Sequence, residues 1–121
     1  MEKFLLLIRE DLRRRSTMSQ EEFKRNVQLV SQWVESMAQS GNYLQADALH
    51  DDGRYVGRDY VLSDGPFIEA KESISGFILI TAESLDQATS MAQNCPLVPL
   101  GVAVVEVRRI QVMPNECPGK I

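Results

Sequence analysis

The chain is expected to fold as an α+β domain of the ferredoxin-like kind, a βαββαβ split sandwich with two helices on one face of an antiparallel sheet. Three observations carry that expectation. Hydrophobic periodicity alternates along the chain between strand-like and helix-like stretches in the order this fold needs. Both helical stretches open on a capping-box pattern, Ser19 with Glu22 and Ser84 with Gln87, in which a hydroxyl and a longer side chain three residues on satisfy free amides of the first turn. The length of 121 residues, 44% of them hydrophobic and 25% charged, suits one core and not two, so residues 1–121 are read as a single domain.

Lys3 to Arg9 reads as a first strand, apolar on both faces, as expected of a central strand covered on two sides. A helix follows from Gln20 to Gln39. Met18 and Phe23 hold the two positions of a hydrophobic staple, and Phe23, Val27, Val30, Trp33, Val34 and Met37 recur at spacings of three and four. Gly41 stands where a left-handed cap closes such a helix. Trp33 and Phe23 are both read as helix core.

Tyr43 to Leu49 is the second strand. Asp51-Asp52-Gly53 then signals a turn into the extended segment Arg54 to Leu62, so these two segments are expected to pair as a hairpin, with a bulge or break between Val56 and Tyr60 around Gly57. Gly76 to Thr81 is a compact apolar strand expected near the sheet centre. The second helix begins after Ser84, buries Leu85, Ala88, Met91 and Ala92, and ends before Pro96. Val102 to Ile110 closes the sheet with β-branched residues, and the tail from Gln111 is read as loosely held. Two helices on one face leave the other face bare. Its apolar side chains would be buried at least cost against a second copy, so a homodimer is expected.

A net charge of −4 and a pI near 5.0 oppose nucleic-acid binding. The basic cluster Arg13-Arg14-Arg15 is flanked by Glu10, Asp11, Glu21 and Glu22 and carries no aromatics, so it reads as a solvated loop. The apolar run from Phe4 to Ile8 is too short to cross a bilayer, and neither a membrane span nor a signal peptide is expected. Cys95 and Cys117 lack metal-ligand spacing, which fits a reducing, cytoplasmic setting. With one histidine in the chain, no metal site is expected, and no nucleotide-binding loop or other cofactor signature appears.

The run Ser63-Asp64-Gly65-Pro66-Phe67-Ile68-Glu69-Ala70-Lys71-Glu72, followed by Gly76-Phe77, resembles the signature of the DGPF branch of YCII-related proteins. Ser84-Leu85-Asp86-Gln87-Ala88, Asn94-Cys95-Pro96 and Val105-Glu106-Val107-Arg108 resemble the same family in the same order, so the resemblance covers nearly the whole chain. It implies a dimeric α/β barrel, bacterial and cytoplasmic, in a family whose activities are mostly unassigned. In the related namesake branch the family pattern implies a working pair, a histidine on the first helix and an aspartate just before the proline that follows the second. Here the first helix has no histidine and Cys95 precedes Pro96, so that pair does not carry over.

Asp64-Gly65-Pro66 builds a rigid corner by itself: aspartate accepts from turn amides, glycine takes positive φ and proline fixes the next φ. That accounts for the corner and leaves Phe67 and the charges Glu69, Lys71 and Glu72 over. In an extended segment Phe67, Glu69 and Lys71 share one side, and Lys71 could meet an anionic ligand. An ordinary surface ion pair of Lys71 with Glu69 or Glu72 explains the pattern equally well. The ligand-binding candidates are Asp64, Gly65, Pro66, Phe67, Glu69, Lys71 and Glu72. The candidate proton-transfer groups are His50, Asp64 and Glu72, with His50 the single imidazole of the chain. Cys95, at a helix C-terminus, reads as a small buried filler.

Three functions fit. The first is binding or transformation of a small anionic organic molecule beside Asp64 to Glu72. The second is a non-catalytic dimeric interaction or regulatory module. The third is a motif that only closes the fold.

Overall fold

The computed structural model describes residues 1–63 and 72–113. β1 (Glu2–Asp11) runs straight into a short helix, α1 (Leu12–Ser16). The arginine cluster expected in a solvated loop therefore lies on this helix. The reason is local: the Asp11 carboxylate accepts from the amides of Arg13 at 2.9 Å and Arg14 at 3.4 Å, and the three arginines sit in the last turn, where the helix dipole favours positive charge.

The long helix α2 (Gln20–Gln39) has the expected bounds. Ser19 Oγ accepts from the Glu22 amide at 3.1 Å. At the other end Gly41 has φ +81°, its amide donates to the Ala38 carbonyl and the Asn42 amide to that of Met37, the paired bonds of a Schellman closure.

β2 (Tyr43–Ala48), β3 (Arg54–Val56), β4 (Val61–Ser63), β5 (Glu72–Ala82), α3 (Leu85–Gln93) and β6 (Ala103–Arg109) complete the described elements. They form a four-stranded sheet in the order β2-β5-β1-β6, antiparallel throughout, and a separate two-stranded sheet of β3 and β4. The four-stranded order is that of a ferredoxin-like split sandwich, with β5 and β1 at the centre. The expected hairpin between the second strand and Arg54 to Leu62 does not form. β2 pairs with β5 instead, and the segment folds on itself, with Val56 opposite Val61 and the Gly57 amide donating to the Tyr60 carbonyl at 2.9 Å. The glycine expected to mark a break is where that tight turn begins.

The core lies between the helices and one sheet face. Phe4, Leu6 and Ile8 of β1 and Ile78, Ile80 and Ala82 of β5 meet Trp33 and Met37 of α2, Ala88 and Ala92 of α3, and Cys95. Trp33 donates its indole N–H to the Met91 carbonyl at 3.0 Å, joining α2 to α3. Cys95 is fully buried, as its reading as a filler requires, and burial pushes its thiol above the ordinary range. The opposite face carries Leu5, Leu7, Phe77 and Leu79, all half-buried, and Val104 at 55% exposure. Among the described residues no helix is long and apolar enough to cross a membrane.

Candidate functional site

α2 does not cover the sheet evenly. In its C-terminal half Trp33 and Met37 are 5% and 3% exposed, whereas in its N-terminal half Phe23 and Val27 are 49% and 48% exposed although they lie on the same apolar stripe. Phe23 was expected in the helix core; it lines a cavity instead. The cavity, of about 290 Å³, lies between this half of α2 and the ends of β2 and β5.

The sheet side of the cavity owes its room to small side chains. Ala46 and Ala48 of β2 stand opposite Ile78 and Gly76 of β5, and all four line the space. Gly76 has a second reason for its identity: a Cβ there would come within 3.1 Å of the Asp47 carbonyl oxygen, tighter than a packed backbone accepts without shifting. Beside it the register of β1 and β5 slips between Ile8 and Arg9, so that Ser75 is the extra residue of a bulge and also lines the cavity. Phe23, Val27, Val30 and Val34 supply the helix side, and Ile8 and Leu97 add apolar wall.

Polar groups are few among the lining residues. Arg15 of α1 pairs with Asp51 at 2.8 Å, with the arginine side chain 25% and the aspartate 65% exposed. Glu10 is half-buried, and Asp47 accepts from Gln45 at 3.2 Å. Asn26, on α2, is 7% exposed and among the described residues donates to the Met18 sulfur at 3.6 Å. This set can bind one ring-sized, mostly apolar molecule with one or two polar substituents. No nucleophile and base stand paired among the described lining residues, and no three His, Cys, Asp or Glu side chains come together there as a metal cage would need.

Of the sequence candidates, Asp64, Gly65, Pro66, Phe67, Glu69 and Lys71 lie outside the described residues. Glu72 is the first residue of β5, its backbone opposite Asp11, and the strand it begins reaches the cavity at Ser75. His50 is exposed and follows Leu49, which lines the cavity, but is not itself among the lining residues. Sequence reasoning missed Arg15, Asn26 and the small residues Ala46 and Gly76. Asn26 had a visible signal, since it is a polar residue between Phe23 and Val30 at stripe spacing.

Residues 6–111 match the model of the YCII-related domain. An uncharacterised protein of Rhizobium meliloti (strain 1021) is 35% identical over 67 residues, 54% of this chain and 54% of that protein, so the match spans about half the length of that relative. Among solved structures, a 5-chloro-2-hydroxyhydroquinone dehydrochlorinase from Burkholderia phenoliruptrix AC1100, in complex with 2,5-dihydroxybenzoquinone, superposes with a TM-score of 0.55 at 20% identity, covering 92% of this chain and 95% of the other. At that identity the likeness is one of fold.

Proposed function

Because the chain belongs to the YCII-related domain family, we propose that it binds a small, single-ring organic molecule carrying an acidic group, in the cavity between α2 and the β2 and β5 ends. The observation that carries this reading is the half-exposed pair Phe23 and Val27 over a floor of Ala46, Ala48 and Gly76. An amphipathic helix ordinarily buries its apolar stripe, and here two of its large members face space that the chain's own small residues leave open.

Size narrows the ligand. A cavity of about 150 Å³ holds a benzene, and typical ligand pockets begin near about 300 Å³, so 290 Å³ suits one substituted ring. The dehydrochlorinase structure contains an acidic ring compound of this size, which supports the same class here. In this reading the acidic group meets Arg15, and Lys71 on the Asp64-Gly65-Pro66-Phe67 segment, whose resemblance to the DGPF branch we retain. His50, Asp64 and Glu72 are the groups proposed to move a proton if the ligand is turned over.

The test is an amide chemical-shift titration with 2,5-dihydroxybenzoquinone. Shifts at Val30, Ala46, Gly76 and Ile78 are expected. Their absence, or shifts confined to Leu5, Leu79 and Val104 on the opposite face, would overturn the proposal.

A second reading, a dimeric interaction module, is favoured by that opposite face. Leu5, Leu7, Phe77, Leu79 and Val104 form an apolar surface that a second copy would bury by sheet-on-sheet stacking. Sedimentation should give a dimer that Leu79→Lys converts to monomer; a monomeric parent protein at high concentration removes this reading.

A further inference from the structure

We infer that Asn26 selects the ligand, taking a ring hydroxyl into the otherwise apolar cavity. The inference rests on the cavity being a ligand site and adds the chemistry that the site recognises. Asn26 is 93% shielded from solvent, since its exposure is 7%, and it lines the cavity between Phe23 and Val30. Its carboxamide can donate two hydrogen bonds and accept two. Among the described residues it makes one, from Nδ2 to the Met18 sulfur at 3.6 Å, a weak acceptor, and no donor meets its Oδ1; since no buried side-chain oxygen among them lacks a partner, that oxygen is open to the cavity. The rest of the neighbourhood treats polar groups differently. Asn42, also buried, accepts from Ser40 Oγ at 2.6 Å and donates to the Thr81 carbonyl at 2.8 Å. Ser75, at the cavity edge, donates to the Ile8 carbonyl at 3.4 Å.

An apolar ligand filling the cavity would strip this oxygen of water without replacing the hydrogen bond, which is costly, whereas a ligand hydroxyl replaces it. Leucine at this position would complete the apolar stripe with the same branched skeleton, though bulkier, so nothing in helix packing calls for an amide. A ligand hydroxyl donating to Oδ1 fits, and the second Nδ2 hydrogen is available to a neighbouring ring carbonyl or hydroxyl oxygen. The class recognised is thus a hydroxylated ring rather than a purely hydrocarbon one. Selectivity of this kind is steep, because a site built around a buried polar group penalises ligands that leave it unpaired.

The experiment compares p-cresol with toluene, equal in shape apart from the hydroxyl, in the unsubstituted protein and in Asn26→Leu. Amide shifts at Ala46 and Gly76 locate binding. The ratio of p-cresol to toluene affinity is expected to fall about tenfold or more in Asn26→Leu, with toluene bound at least as well as before. In the unsubstituted protein the ¹⁵N side-chain amide signal of Asn26 should move with p-cresol and not with toluene, a readout independent of how the variant folds. If both probes bind at Ala46 and Gly76 but the ratio is unchanged and the Asn26 signal is still, the inference fails and the cavity reading stands. If neither probe reaches those residues, the cavity reading fails and this inference with it.

Discussion

Arg15 Nη1 and Asp51 Oδ1 stand 2.8 Å apart, joining α1 to the segment that follows β2 at the edge of the cavity. Arg15 is the cation among the described lining residues, and this pair holds it in place and offsets its charge. The arrangement makes the proposed preference for an acidic ligand testable. Asp51→Asn removes the competing carboxylate, and benzoate affinity should rise about two- to fivefold, the usual scale of a partly exposed ion pair, while benzamide affinity stays constant. Isothermal titration at low and high salt checks it; equal changes for both compounds would remove Arg15 from the ligand's acidic group.

Ala46 pairs with Ile78 and forms part of the cavity floor. Ala46→Leu should occupy the space a ring needs. Binding of 2,5-dihydroxybenzoquinone should weaken about tenfold or more while the melting temperature does not fall, because the added carbons pack where the wild-type chain leaves room. A variant that binds normally would show that the ligand lies elsewhere.

Trp33 anchors the closed half of α2 through its hydrogen bond to the Met91 carbonyl. Trp33→Phe keeps most of the buried ring and removes one of two donors to that carbonyl, which retains the Asn94 amide at 3.2 Å. A loss of about 0.5–1.5 kcal/mol in denaturant unfolding is expected. A neutral result would mean that packing alone holds the two helices.

Glu106 accepts from Arg108 at 3.1 Å and from Arg9 at 2.9 Å, and these bonds, that of Arg108 first, hold its carboxyl below the usual carboxylate range. A depressed folded-state value means stability that is present above the ordinary carboxylate range and lost as pH falls through the folded value. The melting temperature should therefore decline on acidification from pH 5 to about pH 3, and Glu106→Gln should make that decline shallower. Salt should reduce the difference, since the pair is partly exposed. An identical acid profile for the variant would show that the Arg108 and Arg9 contacts are not kept in solution.

The sequence disclosed what depends on near neighbours. Ser19 with Glu22 and Ser84 with Gln87 cap their helices, as Gln87 also reaches the Glu83 amide at 2.6 Å, and Gly41 closes α2. Phe77 to Ile80 reads as central because it must be apolar on both faces, and β5 is central. What failed was local evidence without its partner. Asp51-Asp52-Gly53 looks like a hairpin turn, but β2 finds β5, whose apolar residues offer more burial than the charged segment next in sequence. Arg13-Arg14-Arg15 looks like a loop until Asp11 caps it as a helix, while Arg13 and Arg14 are exposed as expected. The cavity was illegible for the same reason: it arises from Ala46 and Ala48 lying opposite Ile78 and Gly76, a register that residues some thirty positions apart settle only in three dimensions. Asp64 to Lys71, where the sequence pointed first, lies outside the described residues, so its part in the site is a proposal carried by Lys71 and the resemblance.

The most direct test of a ring-binding cavity is a crystal structure of the protein soaked with 2,5-dihydroxybenzoquinone. A planar ring is expected between Val30 and the Ala46 and Gly76 floor, with an oxygen beside Asn26 and Phe23 closed over the edge. Absence of a ring there at saturating compound, with Phe23 and Val27 collapsed onto Ala46 and Ile78, would contradict it.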